Sequence, residues 1–287
     1  DAAKSLGYGF TFGDPLSDAI EKVQDNASRP PNVVRSSSLV KFIKEISKVS
    51  KRPRELLDFS RRAMKSGSQK NQHSRIASAS RNGSSVVIYF LPYQPEESSS
   101  PRAGIFVEQL LAVRSVASCL PEGWTLRVRE HPDQYGRRRP RAKDFLKEIS
   151  LIPKVSIVPF DEAVNESFSN VRAVVGVSGT SCVEAWLRKI PVLIFGDMFL
   201  KKAPGVFFIE TMSDIRQAFA MIQNGFENEQ SEIERFIKWT ASNSYVGSLN
   251  KVDKSHQDLF ETTTSNLEAL ISTWFMLGNP VVGTGQK

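Results

Sequence analysis

Cysteine and histidine are scarce in this chain. Its 287 residues hold two cysteines, Cys119 and Cys182, far apart and each within a stretch of helical spacing. That argues against a disulfide framework and fits a reducing, cytoplasmic setting. The three histidines, His73, His131 and His256, are too scattered for a metal-ligand pattern, so no metal is expected. No run of eighteen apolar residues occurs, which leaves no candidate membrane-spanning helix. No Gly-x-Gly-x-x-Gly follows the first predicted strand, which argues against an NAD or FAD enzyme. The opening Asp1-Ala2-Ala3-Lys4 carries no signal-peptide pattern and suggests a piece of a longer protein.

What is present is ordinary for a globular protein: 40% hydrophobic and 24% charged residues, enough for one large domain or two modest ones. The formal charge is +7, with basic clusters at Lys51-Arg52-Pro53-Arg54, Arg61-Arg62 and Arg137-Arg138-Arg139 with Arg141. Such clusters are either a solvated basic face or a contact for anionic lipid or an acidic glycan. Aromatic residues do not interleave with them as a base-stacking platform requires, so nucleic acid is not an expected partner.

Two regimes follow one another along the chain. Residues 1–83 lack a strand–helix rhythm. Leu39 to Ile46 has helical spacing, Glu55 to Met64 suggests a second helix, and Lys65 to Ser85 reads as a polar linker. From about Ser84 to Gln223 short apolar runs alternate with helical patterns. The predicted strands begin at Val86, Trp124, Val155, Ala173 and Pro191, with a sixth over Val206 to Ile209. Helices are predicted over Ile105–Cys119, Arg141–Ile149, Asp161–Phe168, Ser181–Arg188 and Ser213–Gln223, with Asp161 and Ser213 as caps. The fold class is therefore α/β: a Rossmann-like parallel sheet with helices on both faces, preceded by a mostly helical N-terminal segment. The domain division is 1–83 and 84–287.

Ligands of such sheets sit beyond the carboxyl ends of the strands. There the sequence places Gln94 and Glu96, then Glu130-His131-Pro132, then Ser178-Gly179-Thr180-Ser181. Ser178-Gly179-Thr180 joins a buried strand to a helix, where backbone N–H groups and the helix dipole favour a phosphate; an ordinary helix cap would look the same. Glu184, one turn later, suits a ribose diol or the helix dipole alone. Pro132 forces His131 into an extended conformation at the sheet edge, where an imidazole can hold or protonate a phosphate oxygen. Glu96 suits a base, a ribose ligand or a loop acid. Gly176-Val177-Ser178-Gly179-Thr180 approximates a serine-hydrolase nucleophile elbow, but Thr180 occupies the second glycine position and only His256 follows as a triad histidine.

In this order, Tyr93-Gln94-Pro95-Glu96, Ser100-Pro101, Gln109, Leu120-Pro121, Glu130-His131-Pro132, Ser178-Gly179-Thr180, Glu184-Ala185, Pro191 and Phe195-Gly196 resemble the capsule polysaccharide biosynthesis glycosyltransferases. That family includes enzymes that transfer Kdo from CMP-Kdo. The resemblance spans about Val86 to Gly196. It implies the nucleotide-sugar half of a GT-B glycosyltransferase making capsule or lipopolysaccharide. It implies a CMP-sugar donor and a glycan or glycolipid acceptor. It further implies Gln94, Glu96, His131, Pro132, Ser178, Gly179, Thr180 and Glu184 at the donor, His131 and Glu130 in catalysis, and no metal. A cytoplasmic protein, peripheral at the inner membrane through its basic patches, is the matching location. Arg129 stands where the family usually has Lys, Pro92 where it often has His, and Ser181-Cys182 where the helix often opens with Gly. Residues 1–83 show no strands for an acceptor half. Gln257 to Phe275 resembles the terminal helix that packs back toward the first domain. Two other readings remain open: a non-catalytic nucleotide-binding or assembly module, and a UDP-sugar enzyme such as an epimerase.

Overall fold

The computed structural model describes residues 53–77, 85–94, 99–136 and 140–242. The expected helices at 39–46 and 257–275, Glu96, His256 and the Arg137–Arg139 cluster lie outside these. The larger compact unit is Val23–Ile233; of the second unit only 234–242 is described.

The elements are α1 (Pro53–Ile76), β1 (Ser85–Phe90), α2 (Gln109–Ser118), β2 (Trp124–Arg129), α3 (Pro132–Gly136), α4 (Phe145–Ser150), β3 (Val155–Ile157), α5 (Val164–Phe168), β4 (Val171–Gly176), α6 (Thr180–Leu187), β5 (Val192–Ile194), β6 (Val206–Phe208), α7 (Met212–Gln223) and α8 (Gln230–Ser242). All strand pairs are parallel, in the order β3-β2-β1-β4-β5-β6. This is the Rossmann strand order. The predicted α/β fold is the observed one. Its switch point lies between β1 and β4, where the chain reverses its direction of winding.

β1 is apolar from Val86 on because both of its faces are covered: Val87, Ile88 and Tyr89 have no exposed surface. One face carries Val87, Tyr89, Leu126, Val128, Ala173, Val175 and Leu193, packed under α2, α4 and α7. The other carries Ile88, Val174 and Ile194 and meets α6, whose Cys182 and Trp186 are buried. Gly176 allows that close approach, since a Cβ there would stand 2.5 Å from the Cys182 sulfur. Trp186 also donates its indole N–H to the Pro204 carbonyl at 2.8 Å, tying α6 to the entry of β6.

The strands are entered through left-handed corners. Gly123, Lys154, Asn170 and Gly205 have φ values of 75°, 64°, 57° and 73° and directly precede β2, β3, β4 and β6. Lys189, at 63°, closes α6 ahead of β5.

Several boundaries differ from the sequence expectation. Ile105 to Cys119 is not one helix: a 3-10 turn over Gly104–Val107 precedes α2, and the Glu108 carboxylate caps α2 by accepting the Leu110 N–H. α4 begins at Phe145 rather than Arg141, because Asp144 takes a left-handed backbone conformation, φ 62°, that a helix cannot pass through. α5 begins at Val164 after Ala163, with no cap from Asp161. α7 is capped by Thr211, in a capping box with Asp214, rather than by Ser213. The largest correction concerns the expected linker from Lys65, for α1 runs on to Ile76. Its inner face is polar rather than apolar: Ser66 and His73 are buried and hydrogen-bonded, so hydropathy gave no sign of packing. Ala77 then pairs with Ile157 beside β3.

Candidate functional site

At the carboxyl end of β2 the chain turns through Glu130, His131 and Pro132. Glu130 is 3% exposed, yet both its oxygens are satisfied. Arg141 clasps it with two N–H groups, Nε meeting Oε2 at 2.9 Å, and the His131 backbone N–H donates to Oε1 at 2.7 Å. Arg141 also donates to the Pro92 carbonyl at 3.0 Å and to Gln94 Oε1 at 3.4 Å, so one guanidinium joins the loops after β1 and β2. Its planar fork reaches these acceptors together, which a lysine could not do.

His131 opens α3. Its Nδ1 accepts the Asp133 N–H at 3.1 Å, so the neutral imidazole carries its hydrogen on Nε2. Tyr93 lies against the ring, with centroids 5.8 Å apart. Pro132 occupies the first helical position, where no N–H is needed. Gln94 and Gln134 exchange amide hydrogen bonds at 3.2 and 3.3 Å, and Gln94 also donates to the Val107 carbonyl. The buried Gln109 donates to the Pro92 carbonyl, while its own oxygen, also buried, has no partner.

Across the switch point, Ser178 and Gly179 link β4 to α6. Gly179 is the N-cap and brings no side chain to it, and Thr180 is exposed. The first N–H groups of α6 and its positive dipole end stand at the β4 end of the crevice. Gly179 has φ −78°, so it is not required by backbone conformation; it keeps the turn slim. Glu184 lies one turn along, paired with Arg188 at 3.0 Å. Burial pushes the Glu184 carboxyl above the usual range, while Arg188 and Arg129 pull against it. Arg188 in turn donates to Asn165 Oδ1 and lies over the Phe168 ring.

A second buried polar network lies on the α5–α6 face of β2. Arg127, 2% exposed, meets both carboxylate oxygens of Glu162, at 3.1 and 2.7 Å. Arg129 donates to Ser167 Oγ and to the Glu162 carbonyl, both at 2.7 Å. Burial depresses the Arg129 guanidinium, with Glu162 opposing. The second face of β2 is thus covered as well, with its arginines paired rather than solvated. Glu162 lies 35 residues from Arg127, so no local spacing announced the pair.

α1 bears on the same region. His73 is buried; its Nε2 hydrogen goes to the Val158 carbonyl at 2.8 Å, and its Nδ1 accepts from the Tyr135 hydroxyl at 3.0 Å. Burial lowers its pKa. Gln69 exchanges two hydrogen bonds of 2.9 Å with the Arg141 backbone, and Ser66 donates to the Tyr135 carbonyl.

Thus Gln94, Glu130, His131 and Pro132 are brought together at the β1 and β2 ends, and Ser178, Gly179, Thr180 and Glu184 at the β4 end. Sequence reasoning did not single out Arg141, Gln134 or Gln69; the only prior sign was Arg141 at the tail of a basic cluster.

Against this geometry the family comparison is decisive. The family model described as capsule polysaccharide biosynthesis protein matches residues 30–208, more than half of the chain. This chain belongs to that family. The match takes in the β1, β2 and β4 ends alike. No curated protein matches the chain. Among solved structures, the one titled Crystal Structure of TarM has a TM-score of 0.34 and 14% identity, covering 71% of this chain. The chain spans 36% of that protein's length. For this capsule family member no described helix is long and apolar enough to cross a membrane, and no described group of His, Cys, Asp or Glu could hold a metal.

Proposed function

We propose that this unit is the donor-binding half of a glycosyltransferase of surface polysaccharide synthesis, and that it takes a CMP-activated sugar, Kdo in the first instance. The observation that carries the reading is His131. Its Nδ1 accepts the Asp133 N–H, which puts the ring hydrogen on Nε2, and the residue stands at the ligand edge of a Rossmann sheet. The exposed Thr180 at the start of α6, behind a glycine N-cap, supports a second contact to the same phosphate. Glu184 accepts from the ribose hydroxyls. The family membership supports the pathway.

In the reaction an acceptor hydroxyl attacks the anomeric carbon. The bond from that carbon to the phosphate oxygen breaks, and its electron pair stays with the departing CMP. Negative charge grows on that oxygen, and a hydrogen bond aimed there in advance stabilises the transition state more than the ground state. His131 supplies it. Glu130 shapes the turn and does not touch substrate, since its oxygens are enclosed by Arg141 and the His131 N–H. The acceptor, a glycan or glycolipid, and the base that takes its proton are supplied by another part of the enzyme. No metal takes part in this scheme. The basic residues Arg61 and Arg62 on α1 suit an anionic membrane surface.

Calorimetric titration with CMP and with UDP tests the reading. CMP binds in preference to UDP, and His131→Ala weakens CMP by roughly tenfold or more, as loss of one hydrogen bond to a charged group implies. Equal binding of UDP would point to a different donor. Absence of binding by either nucleotide would leave a non-catalytic module.

A further inference from the structure

We infer that Arg141 is the positioning residue of the His131 imidazole, and that Gln69 on α1 holds Arg141 in that role. This rests on the reading of His131 as the donor-phosphate ligand, but it makes a claim about the unliganded protein as well.

A chain of contacts runs from Gln69 to His131. Gln69 grips the Arg141 backbone on both sides, accepting its N–H and donating to its carbonyl, each at 2.9 Å. The Arg141 side chain, with its ring contact to Phe145 at 5.1 Å, then points to four acceptors: both Glu130 oxygens, the Pro92 carbonyl and Gln94 Oε1. Glu130, so held, accepts the His131 N–H at 2.7 Å. That bond bends the chain where Asp133 N–H meets His131 Nδ1, and this last contact places the hydrogen on Nε2. A fork of fixed geometry is needed at the second step, because one ammonium cannot meet both carboxylate oxygens and two further acceptors. Arg141 has 6% of its surface exposed and touches the substrate edge only through Glu130 and the β1 loop. Positioning, rather than contact with substrate, is therefore its part.

The test reads His131 directly in the full chain. Three histidines give separable imidazole signals in long-range 1H–15N spectra, and His131→Ala identifies the one in question. At a pH where the rings are neutral, His131 of the wild type shows one tautomer with hydrogen on Nε2. In Arg141→Lys, which keeps the charge, the two His131 nitrogens move toward averaged shifts while His73 keeps its pattern. CMP affinity falls about tenfold alongside, the size expected for loss of one oriented donor. A folded Arg141→Lys protein that retains the single His131 tautomer overturns the inference. Should Arg141→Lys fail to fold, Gln69→Ala, on the partly exposed face of α1, takes its place. It is expected to average His131 in part, and an unchanged His131 in that variant also overturns the inference. Should the wild type fail to bind CMP, the functional reading falls, while the tautomer still decides the part played by Arg141.

Discussion

The two sides of the switch point are built differently. The loops after β1 and β2 are fixed by buried side chains: Glu130 with Arg141, and Gln134 with the Gln94 backbone. Each such group is stable only because its partner is present. The turn after β4 relies on backbone. It is short, the N-cap of its helix is a glycine, and Thr180 stands exposed beside it. One side of the crevice thus spends its polar side chains on internal order, and the other leaves Gly179 and Thr180 exposed. The contrast teaches that burial of polar chemistry and availability of polar chemistry can be divided between adjacent strand ends.

The sharpest way to break this contrast is to remove a charge from the ordered side. Glu130→Ala leaves the Arg141 guanidinium enclosed without a counter-charge, and urea denaturation should show a loss of about 3–5 kcal/mol. Replacing both partners, with Leu and Met, should cost less than the single change, because no buried charge is left unpaired.

A smaller effect is expected where α1 supports the ordered side. His73 is held neutral by burial, with a pKa below the ordinary value. The unfolded chain takes up its proton near pH 6.5 and the folded one only at lower pH, so stability falls as pH drops through that value. Glu130 and Asp161 oppose this shift and Arg129 adds to it. His73→Ala should lose about 2 kcal/mol at pH 8, since the Val158 carbonyl and Tyr135 hydroxyl lose their partner. It should also flatten the dependence between pH 7.5 and 5.5 in denaturation curves, by roughly the single-proton slope.

The smallest change in stability belongs to the other side. Thr180→Ala should stay within about 0.5 kcal/mol of the wild type, as exposed positions do. CMP binding should nonetheless weaken severalfold in titration. A large stability loss from Thr180→Ala would erase the distinction between the two sides.

Much of this was legible in the sequence. The apolar run Val86 to Leu91 could only be a strand covered on both faces, and the alternation after it required a parallel sheet. Ser178-Gly179-Thr180 and Glu130-His131-Pro132 stood out because turn-forming residues directly follow apolar runs. The supporting shell was hidden for a physical reason. Arg141 meets Glu130 across 11 residues and Gln69 across 72, and hydrogen bonds at such separations leave no periodicity. α1 was misread past Met64 for a related reason, since its inner face packs largely through Ser66, Gln69 and His73, with Ile76 as the apolar contact at its end. The function of Glu130 shows the same limit: sequence marks it as chemistry beside His131, whereas its surroundings give it to architecture.

The left-handed corners at the opposite end of the sheet carry a practical consequence. Lys154 and Lys189 hold a backbone shape that costs a residue with a Cβ about 1 kcal/mol or more and costs glycine almost nothing. Those two positions sit at the amino ends of β3 and β5, a full strand length from the crevice. An engineer who wants a hardier protein with an untouched binding edge would begin there, with glycine, before altering any side chain of the core.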